Sequence, residues 1–110
     1  MAIDSLTKHV RGIADELSTG NLDPNDYCLD HDDRPSAFDY LQSALDIEWI
    51  LCSNRQYLGA RVLVAFGGPN IWINTRTNTV EGYWWGDQAA ESFNDALGLN
   101  DALLEIWEAG

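Results

Sequence analysis

Near the amino terminus apolar residues recur at steps of three and four, at Ile3, Leu6, Val10, Ile13 and Leu17. That spacing marks the buried face of an amphipathic helix. Asp4 and Ser5 supply capping chemistry at its start. Gly20-Asn21 ends it, because glycine takes the left-handed C-cap conformation without a Cβ penalty. From Asn21 to Pro35 the periodicity disappears, and Asp, Asn and Pro mark a loop. Pro24 and Pro35 each turn the preceding residue away from helix. Pro35-Ser36 opens a second helix with Phe38, Leu41 and Leu45 along one face, ending near Asp46.

The period then changes to two. Ile47, Trp49 and Leu51 alternate with Glu48, Ile50 and Cys52, which reads as a strand, and Ser53 to Gln56 makes a turn. The run Tyr57 to Phe66 is apolar on nearly both faces, as expected of a central strand covered on both sides. Gly67-Gly68-Pro69-Asn70 is a strong turn signal. Ile71 to Thr75 reads as a third strand, Thr77-Asn78 as a hairpin turn and Val80 to Trp85 as a fourth strand. Gly86-Asp87 ends the sheet and opens a helix through about Leu97 that uses Phe93 and Leu97. Gly98 breaks it, and Asn100 or Asp101 caps a last helix with Leu103, Ile106 and Trp107 inward. The expected fold is a single α+β domain spanning 1–110: a four-stranded antiparallel meander flanked by two N-terminal and two C-terminal helices.

Charge changes the picture more than any motif does. Eighteen acids face six bases, a formal net charge of −12 with a pI near 4.1. A field of one sign keeps a protein soluble and speeds encounter with a cationic partner. It disfavours direct binding to nucleic acid or an anionic membrane, which needs Lys and Arg to displace counterions. Between Asp15 and Glu48 there are ten acids and one base, Arg34, with Asp30, Asp32 and Asp33 the densest group. From Glu81 onward there are seven acids and no base. If 87–97 is helical, Asp87, Glu91 and Asp95 stand one above another at steps of ~6 Å. Such a row imitates the charge spacing of a phosphate backbone.

The aromatic residues Trp72, Tyr83, Trp84 and Trp85 fall on neighbouring strands. Successive strand residues point to opposite faces, so Trp84 and Trp85 divide between core and surface. Whichever is exposed would make an anchor for a partner, or line a small-ligand pocket or cation cage. Catalytic constellations are thin. Gly67-Gly68-Pro69 precedes a strand instead of the helix N-terminus a phosphate loop needs. His9 falls on or beside the apolar stripe, where a packed or half-buried histidine is expected. Cys52 is expected in the core. Cys28 near His31 is no dyad on proximity alone, and the two cysteines form no disulfide framework. The acids around His31 lack the spacing of a calcium loop. No catalytic residue, metal or cofactor is expected. Met1 to Asp4 resembles no signal peptide, and no apolar run approaches the ~20 residues of a membrane span, so a cytoplasmic protein is expected.

The stretch from Val62 to Gly86, VLVAFGGPNIWINTRTNTVEGYWWG, resembles segments of short proteins of phages and integrative elements. The whole profile is similar to anti-restriction and anti-CRISPR proteins, several of them small, acidic DNA mimics. The resemblance implies an inhibitor that occupies the Lys/Arg-lined groove of a nucleic-acid-binding complex. The carboxylates available for that contact are Asp30, Asp32, Asp33, Asp87, Glu91 and Asp95, with Trp84 or Trp85 as apolar anchor. Two alternatives share the residues: an immunity protein or antitoxin that neutralises a basic nuclease toxin, and a small-ligand-binding or hydrolytic domain centred on the tryptophans.

Overall fold

The computed structural model describes residues 2–27 and 34–110. Helix α1 (Ala2–Thr19) is followed by a single 3-10 turn (Pro24–Tyr27) and a short helix α2 (Ala37–Gln42). Five strands come next: β1 (Asp46–Leu51), β2 (Tyr57–Ala65), β3 (Asn70–Asn74), β4 (Thr79–Trp84) and β5 (Asp87–Ser92). Helix α3 (Leu99–Ala109) closes the order. The strands pair antiparallel in sequence order, β1-β2-β3-β4-β5. The α+β class and the antiparallel meander expected from the sequence are therefore present, with five strands where four were expected. No described helix is long and apolar enough to cross a membrane.

The sheet has one face under the helices. Register sets Ile47 and Ile73 on either side of Val62, and Val80 beside Ile73. This row joins Ala60 and Ile71 in the core with Leu6, Val10 and Leu17 of α1, Leu41 of α2, and Leu99 and Leu103 of α3. Burying each of the larger aliphatic side chains contributes about 1.5–3 kcal/mol. Helix α1 lies across β4 and β5, α3 packs on β2, and α2 leans on α3. Gly82 sets how closely α1 approaches. A Cβ there would stand 2.5 Å from Val10 Cγ2 and 2.9 Å from Leu6 Cδ1. Its cross-strand neighbour is Ala89, so a pair of small residues makes the channel in which α1 lies.

The opposite face carries Glu48, Arg61, Leu63, Trp72, Glu81 and Tyr83, by alternation from the core positions. The Arg61 guanidinium lies 4.4 Å from the Trp72 ring centroid. Glu48 Oε1 accepts a hydrogen bond from Arg61 at 3.1 Å, and Glu81 Oε1 stands 3.5 Å from Arg61 Nε. Among the described residues, the apolar run of β2 thus has helices on one side only. Its second face is served by this ion-pair and cation–π cluster, and register shifts at each end twist the strand away from regular pairing.

Other departures are local. Helix α1 begins at Ala2, before Asp4-Ser5, and ends as expected at Gly20, whose φ is +72°. Helix α2 stops at Gln42 and buries Ala37, Tyr40 and Leu41; Phe38 is 44% and Leu45 60% exposed. Ser36 and Asp39 close a reciprocal capping box that fixes its start. The segment 87–92 is strand β5, so the expected helix over 87–97 does not exist. In α3 the buried residues are Leu99, Ala102 and Leu103, Trp107 is half-buried, and Ile106 is 37% exposed. His9 is exposed, one position off the buried stripe of Leu6, Val10, Ala14 and Leu17. Cys52 follows β1 in the turn, half-buried, with its Sγ against Asn54 Oδ1.

Candidate functional site

Strand β4 ends at Trp84 and β5 begins at Asp87, and these two residues form the last pair of the ladder. The connection is therefore the two residues Trp85 and Gly86, with φ of +53° and +83°. Two-residue hairpins favour such left-handed pairs because their twist matches that of the strands. Glycine suits the second position. At the first, asparagine or aspartate is usual, and a bulky side chain with positive φ is an outlier. Trp85 is also 86% exposed, so its indole recovers nothing from the core. The division foreseen for the two tryptophans holds: Trp84 is half-buried against the core, and Trp85 projects outward. Its exposure comes from the turn, however, since Trp85 lies beyond the end of β4.

Beside this tip is a cleft of about 330 Å³. Tyr83, Trp84, Trp85 and Asp87 line it from the hairpin, Gly68 from the β2–β3 connection and Asn70 from the start of β3. Gly67, with φ +99°, makes the bend that brings the second wall round.

The carboxylates singled out in the sequence do not form one row. Asp87 and Glu91 lie on β5, four residues apart, a separation of about 13 Å along an extended strand. Both share the α1 side of the sheet with Ala89, and Glu91 pairs with Arg11 at 4.0 Å. Asp95 is a structural cap. Its Oδ1 accepts from Leu99 N at 2.8 Å and its Oδ2 from Asn100 N at 3.0 Å. It does the work expected of Asn100 or Asp101, since the N-cap position itself is Gly98, with φ +77° and no side chain to offer. Asp30, Asp32 and Asp33, with Cys28 and His31, lie outside the described residues.

A different acidic group emerges where α1, the 3-10 turn and α2 meet. Glu16 and Asp26 repel one another: burial first, then the Asp26 charge, raises the Glu16 pKa above its ordinary value. Burial and then the charges of Glu16, Asp26 and Asp39 raise that of Tyr27. Asp26, Tyr27, Asp39, Gln42 and Ser43 line a shallow depression of about 250 Å³. These carboxylates belong to the acid-rich run visible in the sequence, but only the fold brings residues 16, 26 and 39 together. Among the described residues, no three His, Cys, Asp or Glu side chains are placed to hold a metal ion.

No protein-family profile, curated protein or solved structure matches the chain.

Proposed function

We propose that this protein is a non-catalytic binder of a basic partner, steered by its charge and anchored by the β4–β5 hairpin tip. One observation carries the reading: a tryptophan 86% exposed at a turn position with φ +53°, where a bulky side chain costs stability. Strained, exposed aromatics are the material of interface anchors. The net charge of −12 selects a cationic partner. A protein whose groove is lined with Lys and Arg for nucleic acid fits best, and the chain would then act as its stoichiometric inhibitor. The support lies in the overall field and the anchor. It does not lie in a phosphate-like pitch, because Asp87 and Glu91 are strand residues and Asp95 is a cap.

The test is capture from host lysate on the tagged protein, with a salt gradient for elution and mass spectrometry for identification. The expected result is one nucleic-acid-binding protein or complex, displaced by salt and by competing DNA or RNA, and lost with Trp85→Asn. Recovery of only a general basic background, the same for wild type and Trp85→Asn, would sink the proposal.

A further inference from the structure

The cleft beside the hairpin tip has a chemistry that selects one kind of guest. Its volume of about 330 Å³ is at the small end for ligand pockets and leaves room for a side chain from a partner. Aromatic ring faces attract a cation placed within about 6 Å of the centroid. Asp87 adds a carboxylate, and among the described residues no Lys, Arg or His belongs to the lining. Ladder pairing of Asp87 with Trp84 sets the two residues opposite one another on the same face of the sheet. Elsewhere the molecule satisfies this chemistry internally: Arg61 lies 4.4 Å from the Trp72 centroid with Glu48 and Glu81 beside it. The tip offers the same pairing of indole and carboxylate to a cation from outside.

We propose that this cleft receives an arginine side chain of the partner, its guanidinium stacked on an indole and paired with Asp87. A planar guanidinium matches both surfaces at once, which a lysine ammonium does not. The proposal rests on the binder reading above and gives it a point of contact.

Gly68 provides a means of obstruction. A Cβ there meets nothing within 4 Å and its φ is not in the left-handed region, so Gly68→Leu adds bulk at a lining residue of the cleft without a steric clash. The direct experiment is a nitrogen–proton NMR titration of the intact protein with acetyl-Gly-Arg-Gly-amide. The same peptide carrying citrulline serves as the neutral isostere. The expected result is saturable movement of the Trp84 and Trp85 indole signals and the Gly68 and Asp87 amides. Half-saturation should be on the order of 1–10 mM. Citrulline should leave them unmoved, and Gly68→Leu and Asp87→Asn should each weaken the arginine response at least about threefold. Equal shifts from the citrulline peptide, a response unaltered by both variants, or no saturable response at the tip would each overturn the assignment. Lysate capture separates this outcome from the wider reading. Partner recovery unchanged in both variants overturns the arginine cleft and leaves the binder standing. Specific peptide binding with no captured partner keeps the cation site and removes the binder.

Discussion

At the scale of single residues, Trp85 sets stability against surface chemistry. A left-handed backbone costs an ordinary L-residue about 1–2 kcal/mol, whereas asparagine adopts it more readily. Trp85→Asn should therefore stabilise the protein by about 1 kcal/mol. That is a rise of roughly 4–6 °C in Tm, read by circular dichroism. Partner capture should fall in the same variant. A lower Tm would mean that the indole contributes packing, and Trp85 would lose its standing as a free anchor. Half of this was legible in the sequence. Strand alternation divided the adjacent tryptophans between core and surface, the right outcome, although the turn and not a strand face is what exposes Trp85. That a Trp-Gly pair, unlike Asn-Gly, would form a two-residue hairpin was not legible, because tryptophan carries no intrinsic preference for positive φ.

At the scale of elements, β5 shows how packing overrides local preference. Asp87 to Ser92 contains two alanines and a glutamate, good helix formers after a glycine that resembles a stop. What decides the outcome is the hairpin pairing and the channel for α1, where Ala89 beside Gly82 leaves room for Leu6 and Val10. The alternation of β5 is one of small and polar residues on both faces, so hydrophobic periodicity could not reveal it. Strands β1 to β4 and helix α1 were legible because their apolar periods are strong. The acidic group at α2 was less so, since Glu16, Asp26 and Asp39 meet only through tertiary folding. Losing the 87–97 helix also changes what Asp95 does. Asp95→Ala removes the acceptors for Leu99 N and Asn100 N and should destabilise the protein by about 1 kcal/mol. Chemical denaturation measures this as a lower midpoint at unchanged slope. An unchanged midpoint would show that water replaces the cap. Reversing Asp87, Glu91 and Asp95 together would break this cap and the Arg11–Glu91 pair, so it would perturb the fold along with any binding.

At the scale of the whole molecule, shifted ionisations and surplus charge act in the same direction. Glu16 has a folded pKa raised above 4.5, chiefly by burial and then by Asp26. Its ionised form is penalised in the native state, so the native state binds the proton more tightly than the unfolded chain. Stability is then gained as pH falls through the folded pKa toward the unfolded one. Relief of the mutual repulsion behind the −12 charge adds to it. On the alkaline side Tyr27, Tyr40 and Tyr57 are all raised above 10, burial being the largest cause for each. For Tyr57 a hydrogen bond with Thr75 opposes the rise, and the charges of Asp95 and Asp101 reinforce it. Above pH 10 the unfolded chain loses phenolic protons that the native state retains, so stability must fall as pH rises through that value. Melting temperature should therefore increase from pH 7 to about 5 and decline steeply above pH 10. Phenolate absorbance at 295 nm should show a late component from the buried Tyr40 that coincides with loss of the far-ultraviolet dichroism, because that phenol is held from water by the fold. If every tyrosine titrated near pH 10 while the dichroism held, Tyr40 would be open to water, and the packing of α2 against the core would be looser than its burial requires.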